Sequence, residues 1–290
     1  MKLTHARAVA LMVLVTLMWS IAGVVTRQLE QARSFEVTFW RSLFTALSLL
    51  VILPALRGRG VFTKLRHGGS ALWLSGLCWS VMFTAFMLAL TLTTVANVLV
   101  TMAVGPLLTA LIARVFIGHR IATRTWLAIV VAGGGIVYMY GNNFAAGQTA
   151  GSLVALAVPL AGAINWTLTQ RSHARGHNVD LVPAVLIGAV LSSLCTLPLA
   201  LPLQATAHDI SLLALLGLVQ LAIPCTLAVL CARVLKAPEI SLLALLEVIF
   251  GIALAWLGAG EQPGAQVLTG GTLVIGALVA NEWIGWRQRA

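Results

Sequence analysis

Ten apolar runs, each close to the length that a helix needs to cross a bilayer, dominate this chain. A membrane-spanning helix takes about 20 apolar residues, and the candidate spans are 8–26, 36–54, 70–90, 96–115, 123–141, 151–169, 181–200, 211–232, 239–257 and 266–285. Only 9% of the 290 residues are charged, against about 25% in a soluble domain, so lipid must be the solvent. Continuous runs without alternation favour helices over a barrel. We expect an all-α membrane protein with ten transmembrane helices.

Lysine and arginine give the chain a direction across the membrane. The net charge is +10, but the basic residues form short clusters between apolar runs, which favours cytoplasmic loops over a nucleic-acid surface. With a cytoplasmic N-terminus, Arg27, Arg33 and Arg41 fall outside and the other fifteen of the 18 basic residues fall inside. The uncharged segments 91–95 and 142–150 suit the outer side. The pattern predicts a bacterial-type inner-membrane protein with both termini cytoplasmic and no nucleic-acid partner.

Two stretches, 96–106 and 238–248, resemble each other at an offset of 142 residues. The offset is about half the chain, which predicts two repeats, 1–145 and 146–290, in one membrane domain. Five helices per repeat is an odd number, so the second repeat must enter the membrane inverted relative to the first. Inverted repeats recur in transporters, with the substrate site near the midplane between the halves.

Local motifs in both halves resemble a known family. They are Trp19 with Arg41 in the first half, and 241–247 (SLLALLE) followed by Gly260 and Glu261 in the second. With ten spans and short loops, the chain resembles the drug/metabolite transporter superfamily in its EamA branch, and within it the YddG-type amino-acid exporters. This resemblance implies efflux of neutral amino acids, including aromatic ones, from the cytoplasm.

Glu247 is the acidic residue nearest the middle of a predicted span. An ionisable group at the bilayer centre is costly, so it should face the bundle interior or water. It either contacts a substrate ammonium or couples protons, or it joins helices as a structural hydrogen-bonding group; the sequence leaves both open.

Aromatic side chains inside the spans are candidates for a substrate pocket. Trp19 lies on a face of mixed large and small residues, and Trp166 near a span end suits either a pocket or an interfacial belt. By helical spacing, one stripe of the third span carries Trp79, Phe83, Phe86 and Leu90. Helix packing is the commoner role of such a stripe, but it would also suit an aromatic substrate side chain.

Uncharged polar residues within spans could bond a zwitterion, with hydrogen bonding between helices as the alternative. They are Asn97, Thr101, Asn165 and Gln220. Arg41 lies about one turn inside the outer end of the second span, where we expect it to snorkel to the surface, the alternative being attraction of a substrate carboxylate at the outer mouth. The midplane then holds one acid and no clear base, which favours a neutral or zwitterionic solute.

Prolines and glycines suggest movement and close packing. Pro106, Pro159 and Pro224 lie inside spans, where proline kinks a helix, so they are candidate hinges. The glycines at 133–135 and 270–271 permit close helix contact, either inside the bundle or in a homodimer.

Several chemistries lack their motifs. There is no phosphate-binding loop and no segment long enough for an ATPase domain. His173 and His177 have helical spacing, but no acid or cysteine completes a metal site. The four cysteines lie in apolar runs as small fillers. We expect no cofactor, no metal and no enzymatic activity.

The sequence thus predicts a secondary transporter that exports amino acids by alternating access around a central cavity. The alternatives are efflux of cationic or aromatic drugs, an intramembrane enzyme acting on lipid-linked substrates, and a structural or sensory membrane protein.

Overall fold

The computed structural model describes residues 3–58, 60–62, 68–117, 122–141, 148–174, 181–235 and 237–287. Within these residues the regular secondary structure is helical. The helices are α1 (His5–Thr26), α2 (Phe35–Arg57), α3 (Ser70–Leu92), α4 (Val95–Met102), α5 (Gly105–Ile117), α6 (Thr123–Gly141), α7 (Gln148–Ala174), α8 (Val182–Ala200), α9 (Ala207–Leu215), a π-helical segment (Leu216–Ala222), α10 (Ile223–Cys231), α11 (Ala237–Ala259) and α12 (Ala265–Arg287).

Eight described stretches are long and apolar enough to cross a membrane, which makes the chain a multi-pass membrane protein. Trp126–Gly135 and Leu243–Ala259 are shorter apolar segments inside α6 and α11, so the count of ten spans stays a prediction. The eight stretches are His5–Thr26, Phe35–Leu56, Ser70–Leu92, Val95–Ile112, Ala150–Thr169, Val182–Ala200, Ala207–Cys231 and Ala265–Gly285.

Some predictions concern residues outside the described ranges. These are most of the uncharged loop at 142–150, His177 of the histidine pair, and part of the basic set, namely Lys2, Arg59, Lys64, Arg66, Arg120, Arg175, Lys236 and Arg289.

The outer surface of the bundle carries many large apolar side chains. Leu257 is 84% exposed, Val115 77% and Val51 73%. Soluble proteins rarely expose contiguous apolar surface of this kind, so hydrocarbon is its natural surrounding. Trp126 and Trp256 are also exposed, as belt tryptophans would be.

The two halves of the chain interlock rather than pack as separate bundles. Helix α3 packs against α7 and α8, α1 packs against α11 and α10, and α6 packs against α12. The helices pack closely where the two halves meet. At the contact of α6 with α12, for example, a Cβ at Gly135 would lie 2.9 Å from the carbonyl oxygen of Gly270.

Two helical spans are interrupted near their prolines. The fourth span breaks between α4 and α5, directly before Pro106, and the segment Leu216–Ala222 is π-helical directly before Pro224. Pro159 lies inside the continuous helix α7. Proline lacks the N–H that a continuous helix needs, and π-helical turns occur frequently at functional sites.

Candidate functional site

A cavity of about 180 Å³ lies between helices from both halves of the chain. It is smaller than the roughly 300–1,000 Å³ typical of pockets for drug-sized ligands, and it suits a small solute. The wall is mainly apolar, and its aromatic members are Trp19, Trp79, Phe83, Phe86 and Trp166.

Trp79 is the centre of the aromatic wall. Its ring lies 5.5 Å from that of Phe83 and 6.3 Å, edge-on, from that of Trp166. Behind it, Gly188 leaves no room for a side chain, because a Cβ there would lie 2.4 Å from the Trp79 Cβ. The structure thus brings Trp79, Phe83 and Trp166 together. Leu90, from the same predicted stripe, packs in the apolar core instead.

Glu247 lies in the cavity wall near the middle of α11 and is half-buried. Within the part of the chain that the structure describes, its carboxylate makes no hydrogen bond or ion pair. A structural tie between helices would need such a bond, so this geometry favours the reading in which the carboxylate faces a solute or a proton.

Arg41 also belongs to the cavity wall, and its side chain is fully buried. Nη2 donates to the backbone oxygen of Phe83 over 2.7 Å, and Nη1 donates to Oε1 of Gln220 over 3.1 Å. The guanidinium carbon lies 5.7 Å from the centre of the Phe86 ring. The prediction of snorkelling is therefore wrong, because the Arg41 face of α2 packs towards α3 and the π-helical segment. The cavity does contain a base.

Gln220 reaches the cavity wall from the π-helical segment and is buried. Its Nε2 lies 3.4 Å from the backbone oxygen of Trp19, so it connects α1 with α2 through Arg41. This segment packs closely on α2, since a Cβ at Gly217 would lie 2.8 Å from the backbone nitrogen of Thr45.

The remaining predicted polar contacts lie behind the wall. Asn97 Nδ2 donates to Thr93 Oγ1, Thr101 Oγ1 donates to the backbone oxygen of Asn97, and Asn165 Oδ1 accepts from Ser75 Oγ. In the described part of the chain, the cavity wall does not include Asn97, Thr101 or Asn165. Contact of these three with a substrate stays a prediction.

The candidate hinges lie at the cavity. Pro106 and Pro159 form part of its wall, and Pro224 precedes the wall residue Cys225. A change in either broken span would therefore alter the cavity directly.

Sequence reasoning missed several wall residues. Met82, Met102, Cys225 and Ala163 line the cavity but look like ordinary core residues within apolar runs. Flexible methionines are common on adaptable binding surfaces, which is the one signal that could have drawn attention to them.

Side chains close the end of the bundle where α1 ends. Arg27 Nε donates to Glu261 Oε2 over 2.8 Å, and its two Nη atoms donate to the backbone oxygens of Leu90 and Thr93. Glu261 Oε1 accepts from the backbone N–H of Val95 over 2.7 Å. One ion pair thus ties three segments of the first half to the loop before α12.

Two further carboxylates strengthen the same end. Asp209 accepts from the backbone N–H groups of residues 30–32 at 2.7 to 3.0 Å. Glu36 Oε1 accepts from those of Gln204 and Ala205, both at 2.8 Å. Hydrogen bonds to a charged acceptor are the stronger kind, so this end is firmly joined across the halves.

Across the described ranges, no group of three His, Cys, Asp or Glu residues is placed to hold a metal ion.

Part of the chain is similar to a known family. Residues 6–141 match the EamA-like transporter family. The match spans 136 of the 290 residues, just under half of the chain. No curated protein matches the chain.

A crystal structure of a protein shares the fold of this chain. It aligns with a TM-score of 0.63 and 18% sequence identity, covering 97% of this chain and 99% of that one. At this identity, the likeness shows the fold alone.

Proposed function

We propose that the whole chain is an EamA-type secondary transporter that exports neutral amino acids, including aromatic ones, from the cytoplasm. The observation that carries this proposal is the cavity between the halves, whose wall combines aromatic side chains with the carboxylate of Glu247. An aromatic wall suits an apolar side chain, and a carboxylate suits an ammonium group. The family match over residues 6–141 supports transport but not a particular solute.

Helix contacts support the two inverted repeats, 1–145 and 146–290. Helix α1 packs against α11, and the equivalent helices of the exchanged halves, α7 with α4 and α5, also pack together. In the same way, the contact of α3 with α8 corresponds to the contact of the stretch Ala207–Cys231 with α2. An axis in the membrane plane would have this effect and would give ten spans.

Charge supports the orientation in the inner membrane. The 15-to-3 distribution of lysine and arginine favours a cytoplasmic location for both termini. In that orientation, the end joined by Arg27 and Glu261 faces outward.

The position of the cavity supports alternating access. Its wall includes Met12 and Ile240, towards the end where α1 and α11 begin, while the other end is joined by the Arg27–Glu261 ion pair. With both termini cytoplasmic, the cavity would extend towards the side where an exporter loads its solute. Pro106 and Pro224 would be its hinges, and the YddG-type exporters its relatives in function.

Efflux of cationic aromatic compounds is the second candidate, because Glu247 lacks a basic partner among the described residues. Proteoliposomes loaded with a panel of labelled amino acids and aromatic amines, with and without a pH gradient, separate the two. We expect amino-acid flux above empty liposomes. Flux of amines alone would favour the second candidate, and no flux of either would contradict both.

A further inference from the structure

Arg41 is a buried cation, and among the described residues its side-chain hydrogen bonds go to uncharged groups. Its side chain is fully buried, its terminal nitrogens donate to the Phe83 carbonyl and the Gln220 amide, and Nε has no partner among the described residues. A charge inside a membrane protein is costly unless it is paired. The guanidinium therefore keeps an unused capacity to bind an anion.

Gln220 occupies the position that a carboxylate would take. Its Oε1 accepts from Arg41 Nη1 at 3.1 Å, while its own Nε2 makes a long contact of 3.4 Å with the Trp19 carbonyl. A charge-assisted bond to a carboxylate is shorter and stronger than a bond to an amide. The amide is consequently a weak competitor for the guanidinium.

We propose that Arg41 is the carboxylate-binding residue of the cavity, and that a solute carboxylate binds it by displacing the Gln220 amide. This rests on the proposed function, because the carboxylate is that of the transported amino acid. A guanidinium can hold a carboxylate through two parallel hydrogen bonds, and apolar surroundings such as Phe86 strengthen them. Glu247 would then face the ammonium group.

Gln220 also explains how binding can be coupled to movement. Arg41 and Gln220 both lie in the cavity wall, and Arg41 Nη1 donates to Gln220 Oε1, so a solute carboxylate that takes this donor must move the Gln220 side chain. Gln220 lies in the π-helical segment, one turn before Pro224, where a shift can spread along the helix. A purely structural Arg41 would affect stability, but it would not distinguish solutes by their carboxylate.

Four related probes test this assignment in the purified full-length protein. They are L-phenylalanine, its carboxamide, hydrocinnamate and phenethylamine, with affinity measured by calorimetry in detergent. In Arg41→Gln we expect the affinity of both carboxylates to fall by roughly tenfold or more, with the carboxamide and the amine unchanged. Equal losses for all four probes would overturn the proposal. Arg33→Gln removes an exposed arginine and is the control for net charge.

Gln220→Glu provides an independent test that does not remove the buried cation. It places a fixed carboxylate on Arg41, so it should abolish hydrocinnamate binding while phenethylamine still binds. Unchanged hydrocinnamate binding would contradict the proposal, even if Arg41→Gln fails to fold. If the wild type transports phenylalanine and its carboxamide equally well, Arg41 is not the carboxylate-binding residue, but amino-acid export is supported. If the wild type binds hydrocinnamate through Arg41 but transports no amino acid, the carboxylate site is supported and amino-acid export is contradicted.

Discussion

Arg27 and Glu261 form an ion pair, with 2.8 Å between Nε and Oε2, that joins segments 234 residues apart in the chain. The pair also organises its surroundings, since Arg27 bonds two backbone carbonyls at the end of α3 and Glu261 accepts the N–H of Val95. Opening this end of the bundle requires these bonds to break together.

Glu261→Gln should make this end open more often, because it removes the acid from the ion pair. A cysteine replacing the buried Ala96, in a background without native cysteines, should then react severalfold faster with an impermeant maleimide. Glu30→Gln is the control, since Glu30 is an exposed carboxylate at the same end. An unchanged labelling rate, or an equal rise in Glu30→Gln, would contradict this role of the Arg27–Glu261 ion pair.

Gly188→Ala should disturb the aromatic wall. The new Cβ would lie 2.4 Å from the Trp79 Cβ and 3.0 Å from the Gly76 carbonyl oxygen, and such overpacking typically costs about 1–3 kcal/mol. We expect a lower unfolding temperature in detergent and a changed Trp79 environment. Gly133→Ala, at a helical position with open space around it, should not be destabilised. Equal unfolding temperatures of both variants would count against this packing.

Glu247→Gln should change transport and its dependence on pH while the protein remains folded. The carboxylate faces the cavity and lacks a partner among the described residues. The amide of the variant cannot attract a cationic group of the solute or take up a proton as the carboxylate can. Glu247→Asp keeps the charge and should retain the pH profile in part. Transport by Glu247→Gln that matches the wild type at several pH values would exclude this role.

Much of the fold follows from the sequence because apolar length and helical spacing are local properties. The runs predicted the helices, and the spacing of Trp79, Phe83 and Phe86 correctly predicted a shared face. Glu247 stands out in the sequence as a carboxylate in an apolar run, and it lies in the cavity wall.

The rest depends on how each helix is rotated about its axis, which the sequence does not specify. Arg41 lies near a helix end, where snorkelling is common, yet contacts with Phe83 and Gln220 turn it inward. Asn97 and Thr101 lie one turn apart, and Thr101 donates to the Asn97 carbonyl within their own helix. Such a bond is compatible with a packing role or a solute-binding role, so their contact with a solute stays a prediction.

Trp166→Leu should weaken the preference for aromatic solutes. The edge-on contact of Trp166 with Trp79 offers an aromatic ring a place to stack, and such pairs are worth about 0.5–1.5 kcal/mol. Phenylalanine should therefore compete roughly two- to tenfold less well with leucine in counterflow. Trp256→Leu, on the exposed surface, should leave the ratio unchanged. A similar ratio in both variants would place the solute elsewhere.

Blocking the cavity is the most direct test of amino-acid export through it. Gly162 lines the cavity, whereas Gly133 has open space around it and is exposed, so Gly162→Trp should fill the pathway and Gly133→Trp should not. In proteoliposomes with labelled phenylalanine, we predict counterflow by the wild type and by Gly133→Trp, and none by folded Gly162→Trp. Counterflow by Gly162→Trp equal to that of the wild type, or no counterflow by the wild type, would contradict the account.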